Sequence, residues 1–225
     1  MHKQLKQFIK HVAIDSPYAT CYSYIMIAKQ KEQLKISFGN KKLPKDTMIF
    51  NIPAVVTCPL KTSLCAKICY AKKAERLHPP VLPARQHNLK LIREGKFKDL
   101  MIDSIKQNHH KIKTIRIHES GDFFRQSYID DWFSVAMQYP EFIFYVYTKS
   151  FHLDYSKKPK NFVLIASFDD STDKLRLDAY NKIREQFNNT FTIIPKDQKA
   201  DCIADCSKCS KCWTETGQNI TVKKH

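Results

Sequence analysis

Seven of the eight cysteines in this chain fall in two tight groups, Cys58/Cys65/Cys69 and Cys202/Cys206/Cys209/Cys212, and only Cys21 stands alone. At 225 residues the chain is long enough to bury a core without disulfide staples, so clustered thiols read as metal ligands. Cys21 reads as a small buried hydrophobe. The second group places four thiols within eleven residues at spacings x3, x2, x2. Such a loop holds either a four-iron cluster or a tetrahedral zinc; the steps of two favour iron–sulfur, with zinc the alternative. Trp213, directly after it, would shield the site from water. The first group, Cys58-x6-Cys65-x3-Cys69, offers only three thiols. A structural zinc would have to recruit a fourth ligand, whereas a four-iron cluster on three thiolates keeps one iron open for chemistry, and iron–sulfur is the preferred reading.

The rest of the composition mainly excludes. Four glycines, Gly39, Gly95, Gly121 and Gly217, cannot be arranged into a dinucleotide-binding or P-loop motif. The longest apolar runs, near Phe142–Tyr147 and Phe162–Phe168, are far too short to span a membrane, and no apolar signal segment opens the chain, so a cytoplasmic protein is expected. The formal charge is +16, and it is uneven. Residues 1–47 carry nine Lys/Arg against three acids and residues 60–113 carry thirteen against four, while residues 114–225 sum to +1. A basic N-terminal half suggests a polyanion partner, nucleic acid foremost. The competing reading is lysine as a general solubilising residue.

Hydrophobic periodicity alternates between two types. Strands are expected at Met48–Val56, Thr114–His118, Phe142–Thr148, Phe162–Phe168 and Phe191–Pro195. Helices are expected at Ser63–Leu77, Pro83–Glu94, from Phe97 through Ile105, from Ser127 (a capping-box variant with Asp130), and at Lys174–Phe187. Strands alternating with helices indicate parallel βαβ units, too few for a closed eight-fold barrel. The expected fold is α/β, an open parallel sheet or, preferred, a parallel-sheet partial (β/α) barrel, with a C-terminal Cys-rich metal-binding loop. It divides into a basic N-terminal extension packed on the core (1–47), the partial barrel (48–195) and the Cys-rich tail (196–225).

In parallel sheets, ligands bind at the carboxyl ends of strands. Polar residues there are Cys58, His118, Glu119, Ser120, Gly121, Asp122, Thr148, Lys149, Ser167 and Asp169. Glu119, Asp122 and Lys149 are the catalytic candidates; His118, Ser120, Gly121, Thr148 and Ser167 are candidate cofactor-binding residues. A purely structural reading also exists: Gly121 at positive φ in a tight turn, with Asp122 capping the next helix. Arg85 and Asn88, one helical turn apart, are expected to face solvent, with substrate contact the alternative.

Cys58-Pro59, Cys65 and Cys69-Tyr70-Ala71, then Arg116-Ile117-His118 leading into Ser120-Gly121-Asp122-Phe123-Phe124, and Tyr147-Thr148-Lys149-Ser150, together resemble the phage-borne gene product 88 family. The resemblance covers about residues 48–215. A more distant resemblance is to radical S-adenosylmethionine enzymes, which carry three cysteines on the loop after the first strand of a partial barrel. In those enzymes a Gly-rich turn after the second strand holds the cofactor amine. This chain departs from them in spacing (x6, x3 rather than x3, x2) and in having one glycine where two are common. The resemblance implies a radical-SAM-like iron–sulfur enzyme of a phage or mobile element, with one or two four-iron clusters and S-adenosylmethionine as a possible cofactor; the +15 carried by residues 1–113 adds nucleic acid as a possible substrate. Two alternatives stand beside it. One is a non-catalytic nucleic-acid-binding protein stapled by zinc or iron–sulfur. The other, lower-ranked, is a metal-dependent nuclease using Glu119, Asp122 and Asp169.

Overall fold

The computed structural model describes residues 32–224, and residues from Leu34 onward form one compact unit. Cys21 and most of the expected 1–47 extension lie outside the described residues. The fold is α/β, with seven strands in one sheet in the order of the chain. The strands are β1 (Ile36–Phe38), β2 (Thr47–Phe50), β3 (Thr114–Ile117), β4 (Ile143–Thr148), β5 (Phe162–Phe168), β6 (Asn189–Ile194) and β7 (Asn219–Lys223). Only β1 is antiparallel to its neighbour; the other five pairings are parallel.

The helices are α1 (Ser63–Lys67), α2 (Tyr70–Leu77), α3 (Val81–Arg93), α4 (Phe97–Asn108), α5 (Gln126–Gln138), α6 (Lys174–Ile183) and α7 (Lys211–Thr214). When parallel strands follow chain order, right-handed crossovers all fall on one face of the sheet. The packing agrees. Ile115 and Ile117 of β3, Phe144 and Val146 of β4, and Phe162 and Leu164 of β5 share one core with Leu91, Phe97, Met101, Ile129, Trp132 and Phe133 of α3–α5. Trp132 lies 5.6 Å from Phe50 and 4.9 Å from Phe97, centroid to centroid. Burying each such aromatic contributes about 1.5–3 kcal/mol.

The alternate residues, Tyr145, Val163 and Ile165, form a second cluster on the opposite face with Cys212, Trp213 and Ile220. The cysteine tail is therefore not a separate appendage. It folds over the sheet, and its last segment adds the parallel edge strand β7. Residues 34–47, read from the sequence as part of an extension, likewise belong to the sheet unit through β1. The strand expected at Met48–Val56 ends at Phe50, because Ala54–Thr57 turn sharply, with Val55 at φ 68°. The single helix expected over Ser63–Leu77 is two, broken where Cys69 becomes the N-cap of α2 and its sulfur accepts from Lys72 N. At α5 the expected Ser127 cap is absent. Arg125 is the N-cap without a side-chain bond, and Gln126 instead donates to Asp130 and to the Asp154 carbonyl.

Candidate functional site

The segment after β2 carries the first three thiols, and its shape is set by buried polar ties. Thr57 Oγ1 donates to the Pro53 carbonyl at 2.6 Å, and Ala54 N donates to Glu75 Oε1 at 2.7 Å. Arg85 donates to Glu75 and to the Ala71 carbonyl, each at 3.0 Å. Asn88 bonds both N and O of Lys35 and the carbonyl of Asn51. Arg85 and Asn88 are thus buried braces of the cysteine segment, not the solvent-facing pair expected from their spacing. Ser120 and Gly121 close the segment from the other side. Ile52 N donates to the Ser120 carbonyl, Ser120 Oγ donates to the Ile52 carbonyl, and Ser120 N donates to Asn51 Oδ1. Gly121 sits at φ +90°, and a Cβ there would stand 2.3 Å from Ile52 Cγ1 and 2.8 Å from Thr57 Oγ1. Glycine is needed for that close approach.

Above this base the carboxyl ends of β3, β4 and β5 converge on the cysteines. Asp122 accepts from Thr148 Oγ1 at 2.6 Å, Lys149 N at 2.9 Å and Phe123 N at 2.8 Å. Lys149 Nζ donates to the Ser167 carbonyl at 2.9 Å and pairs with Asp169 Oδ2 at 3.0 Å. Thr62, which caps α1 by accepting from Cys65 N, donates to the same Asp169 oxygen at 2.7 Å. A continuous hydrogen-bonded line runs from the cysteine segment through Thr62, Asp169 and Lys149 to Asp122 and Thr148. Cys58, Cys65 and Cys69 lie within electrostatic reach of one another, and Cys58 and Cys65 also of Asp122. Burial, reinforced by the Asp122 carboxylate, pushes the Cys58 thiol up to about 12; burial also raises Cys65, against the opposing charge of Lys149.

Not every candidate joins this group. Residue 118 should point to the tail-covered face by strand alternation, but its φ of 60° turns the ring back among the helices. There His118 Nε2 meets Tyr128 Oη at 2.8 Å, and the ring packs 5.0 Å from Phe123. Burial and Arg116 lower its pKa to about 3, so it is a neutral core residue. Glu119 Oε1 accepts from Asn40 Nδ2 at 2.9 Å, and Tyr70 Oη donates to the Glu119 carbonyl. Its bonds are thus separate from those of Asp122 and Asp169, and the nuclease grouping of the three acids does not form. Thr62 was missed by sequence reasoning, although a threonine three residues before Cys65 has N-cap spacing.

The tail group lies against the opposite face. Trp213 stacks on Tyr145 at 4.5 Å, and Asn189 Nδ2 donates to the carbonyls of Cys212 and Glu215. Cys202 N donates to the Thr221 carbonyl, and Cys202 Sγ accepts from Ala204 N at 3.4 Å. Burial, then the neighbouring Cys212, raises Cys206 to about 11.

Among the described residues, no three His, Cys, Asp or Glu side chains converge closely enough to hold a metal ion as they stand. The chemistry of the donors nevertheless suits one. Each group gathers half-buried thiols whose protons a metal would displace, and backbone N–H groups already point at Cys69 and Cys202 sulfurs. A groove of about 670 Å³ beside the first cysteine segment, lined by Pro53, Val56, Lys72, Leu82, Leu89 and Arg93, contains no thiol. Glu75 on its wall is already committed to Ala54 and Arg85. No helix among the described residues is long and apolar enough to cross a membrane.

No solved structure matches this chain. Curated relatives do: the gene 88 proteins of Mycobacterium phages D29 and L5 are 34% and 32% identical over 102 residues, 41% of this chain in both cases. The match spans 42% and 43% of those relatives' own length. The sequence profile described as gene product 88 matches residues 27–212, a stretch holding both cysteine groups and the Asp122–Lys149–Asp169 rim, and the chain belongs to that family.

Proposed function

We propose that this is an iron–sulfur protein of a phage or mobile element and an enzyme of radical-S-adenosylmethionine type or descent, acting on nucleic acid, with its sheet a partial (β/α) barrel. Cys58, Cys65 and Cys69 would hold a four-iron cluster, and Cys202, Cys206, Cys209 and Cys212 a second. One observation carries the reading. The three thiols share the carboxyl edge of the sheet with side chains that are already committed elsewhere: Asp122 to Thr148 and Lys149, Asp169 to Thr62 and Lys149, and His118 to Tyr128. Both carboxylates are engaged by several donors, and His118 is turned away among the helices with its Nε2 on Tyr128, which favours an open iron over a closed staple.

Bound there, a four-iron cluster supplies an electron and an iron open to an exogenous ligand such as S-adenosylmethionine. The protein's own residues supply the frame. Thr62 and Asp169 fix the start of α1, where Cys65 sits; Asp122 locks the ends of β3 and β4 together. Lys149, only 7% exposed, brings a positive charge to the rim beside Ser167. Ser120 and Gly121 shape the turn after β3 against Ile52, Glu119 ties it to Asn40, and Thr148 donates to Asp122 beside it.

Purification without oxygen, with iron, sulfide and zinc assays, tests this. The expected product is brown, with about two four-iron clusters per chain. Stoichiometric zinc without acid-labile sulfide overturns it. That outcome supports the second reading, a non-catalytic nucleic-acid-binding protein stapled by metal. The placement of the tail favours that reading there, since Cys212 is 8% exposed and Trp213 is already packed on the sheet.

A further inference from the structure

We propose that Arg116 anchors a binding site for a small oxyanion-bearing molecule, a phosphate or a carboxylate, on the sheet face between the two cysteine groups. Arg116 is a charged residue in the middle of the strand Thr114–Ile117, in register with Tyr145 of β4. Its guanidinium carbon stands 4.0 Å from the Tyr147 ring centroid and 5.2 Å from that of Tyr145. Aromatic faces favour the cation and hold the planar fork in one orientation. They offer it no hydrogen-bond acceptor.

The polar inventory around it is unfinished. Arg116 Nε is buried without a partner, and so is the hydroxyl of Tyr145, a residue with no exposed surface. No carboxylate of the described residues lies within ion-pair distance of Arg116. Glu119 is within its electrostatic reach, but its Oε1 accepts from Asn40. A buried donor left unmade is costly, and a guanidinium without a counter-charge more so. Arg116 as a whole is only partly buried, so a ligand can meet it from the solvent side. A guanidinium presents parallel N–H groups that match two oxygens of a phosphate or carboxylate.

The tail thiols of Cys206 and Cys212 also lie within electrostatic reach of Arg116, and as metal-bound thiolates they are the competing counter-charge. The anion site does not depend on the iron–sulfur reading above, and the two fail separately. Titration of the full chain with inorganic phosphate, and separately with acetate, is followed by the arginine Nε–H nuclear magnetic resonance signals, with that of Arg116 identified by its loss in Arg116→Lys. The expected result is a saturable shift of that signal with at least one anion, the better binder naming the class. Arg116→Gln should weaken binding roughly ten- to hundred-fold. No saturable shift with either anion in the wild-type chain overturns the proposal, as does undiminished binding by a folded Arg116→Gln. A signal that moves on loading zinc or iron, and then ignores both anions, also overturns it and assigns the guanidinium to the thiolates.

Discussion

Lys149 and Asp169 form an ion pair at 3.0 Å with side chains 8% and 0% exposed, joining the end of β4 to the end of β5 directly above the cysteine segment. Taking two charges out of water is unfavourable, and attraction compensates only where the remaining valences are filled. Here they are. Asp169 also accepts from Thr62 Oγ1 and Ser171 N, and Lys149 also donates to Ser167. Burial alone would raise the Asp169 pKa, but Thr62, Lys149 and Ser171 together hold it below the ordinary carboxylate range.

Removing one partner therefore harms more than removing both. Lys149→Met should cost about 3–5 kcal/mol in urea unfolding, because Asp169 is left buried and charged. The double variant Lys149→Met/Asp169→Leu should recover most of that loss. Additive effects of the two substitutions would show that the pair does not act as a unit.

His118 gives a pH dependence with a definite sign. Its pKa falls from 6.5 in the unfolded chain to about 3 in the fold, so below pH 6.5 the unfolded state binds a proton that the native state refuses. Stability contributed by the neutral ring is complete above pH 6.5 and is lost towards pH 3, by up to about 1.4 kcal/mol per pH unit. His118→Gln should flatten the stability profile between pH 6 and 4 relative to wild type. Parallel profiles for the two proteins would show that the ring titrates normally in the fold.

Most of the sheet was legible because β3 to β6 are apolar runs whose period survives any local perturbation. The two edge strands were not. β1 is three residues long beside Gly39, and β7 lies in a polar tail where only pairing with β6 distinguishes Asn219–Lys223 from loop. The rim residues Asp122, Lys149 and Asp169 follow from the rule that ligands gather at strand carboxyl ends, and the structure joins them through hydrogen bonds. His118 obeyed the same rule in sequence and broke it in space, because one positive φ redirected the ring. Arg116 carried a visible signal, a charge alternating with Ile115 and Ile117. Its significance depends on Tyr145 and Tyr147, some thirty residues away, which only the fold brings beside it.

Separate roles for the two cysteine groups predict separate losses. Cys65→Ala, prepared without oxygen, should lose about half the iron and sulfide and keep the rest in the tail. Cys209→Ala should lose the tail's share and loosen the segment that carries α7 and β7, since a metal held there would be coupled to folding. The tail is better ordered than its sequence suggests, with Asn189 and Trp213 holding it to the sheet, so the chain should stay folded in this variant. If either substitution removed all metal, the two groups would be building one site.

The basic half of the chain gives the last prediction. Lys72, Lys73 and Arg76 are all exposed on α2, the helix capped by Cys69, and the Lys72 ammonium is 3.6 Å from Glu75. A phosphate backbone tracked along this helix would lie next to the first cysteine group, where chemistry on nucleic acid requires it. Nucleic-acid affinity should then fall steeply with salt, the slope of log K against log salt being roughly −0.9 per phosphate contacted on duplex DNA and −0.7 on single strands. Reversing Lys72, Lys73 and Arg76 to glutamate should reduce that slope by two to three contacts, about 2 to 3 units on duplex DNA. Reversing Lys223 and Lys224, at the β7 edge, should change it less. Titration of labelled DNA and RNA at several salt concentrations distinguishes the variants. A slope unchanged by the α2 reversal removes this helix from the interface; equal, weak affinity for every protein reduces the positive charge to a general solubilising role.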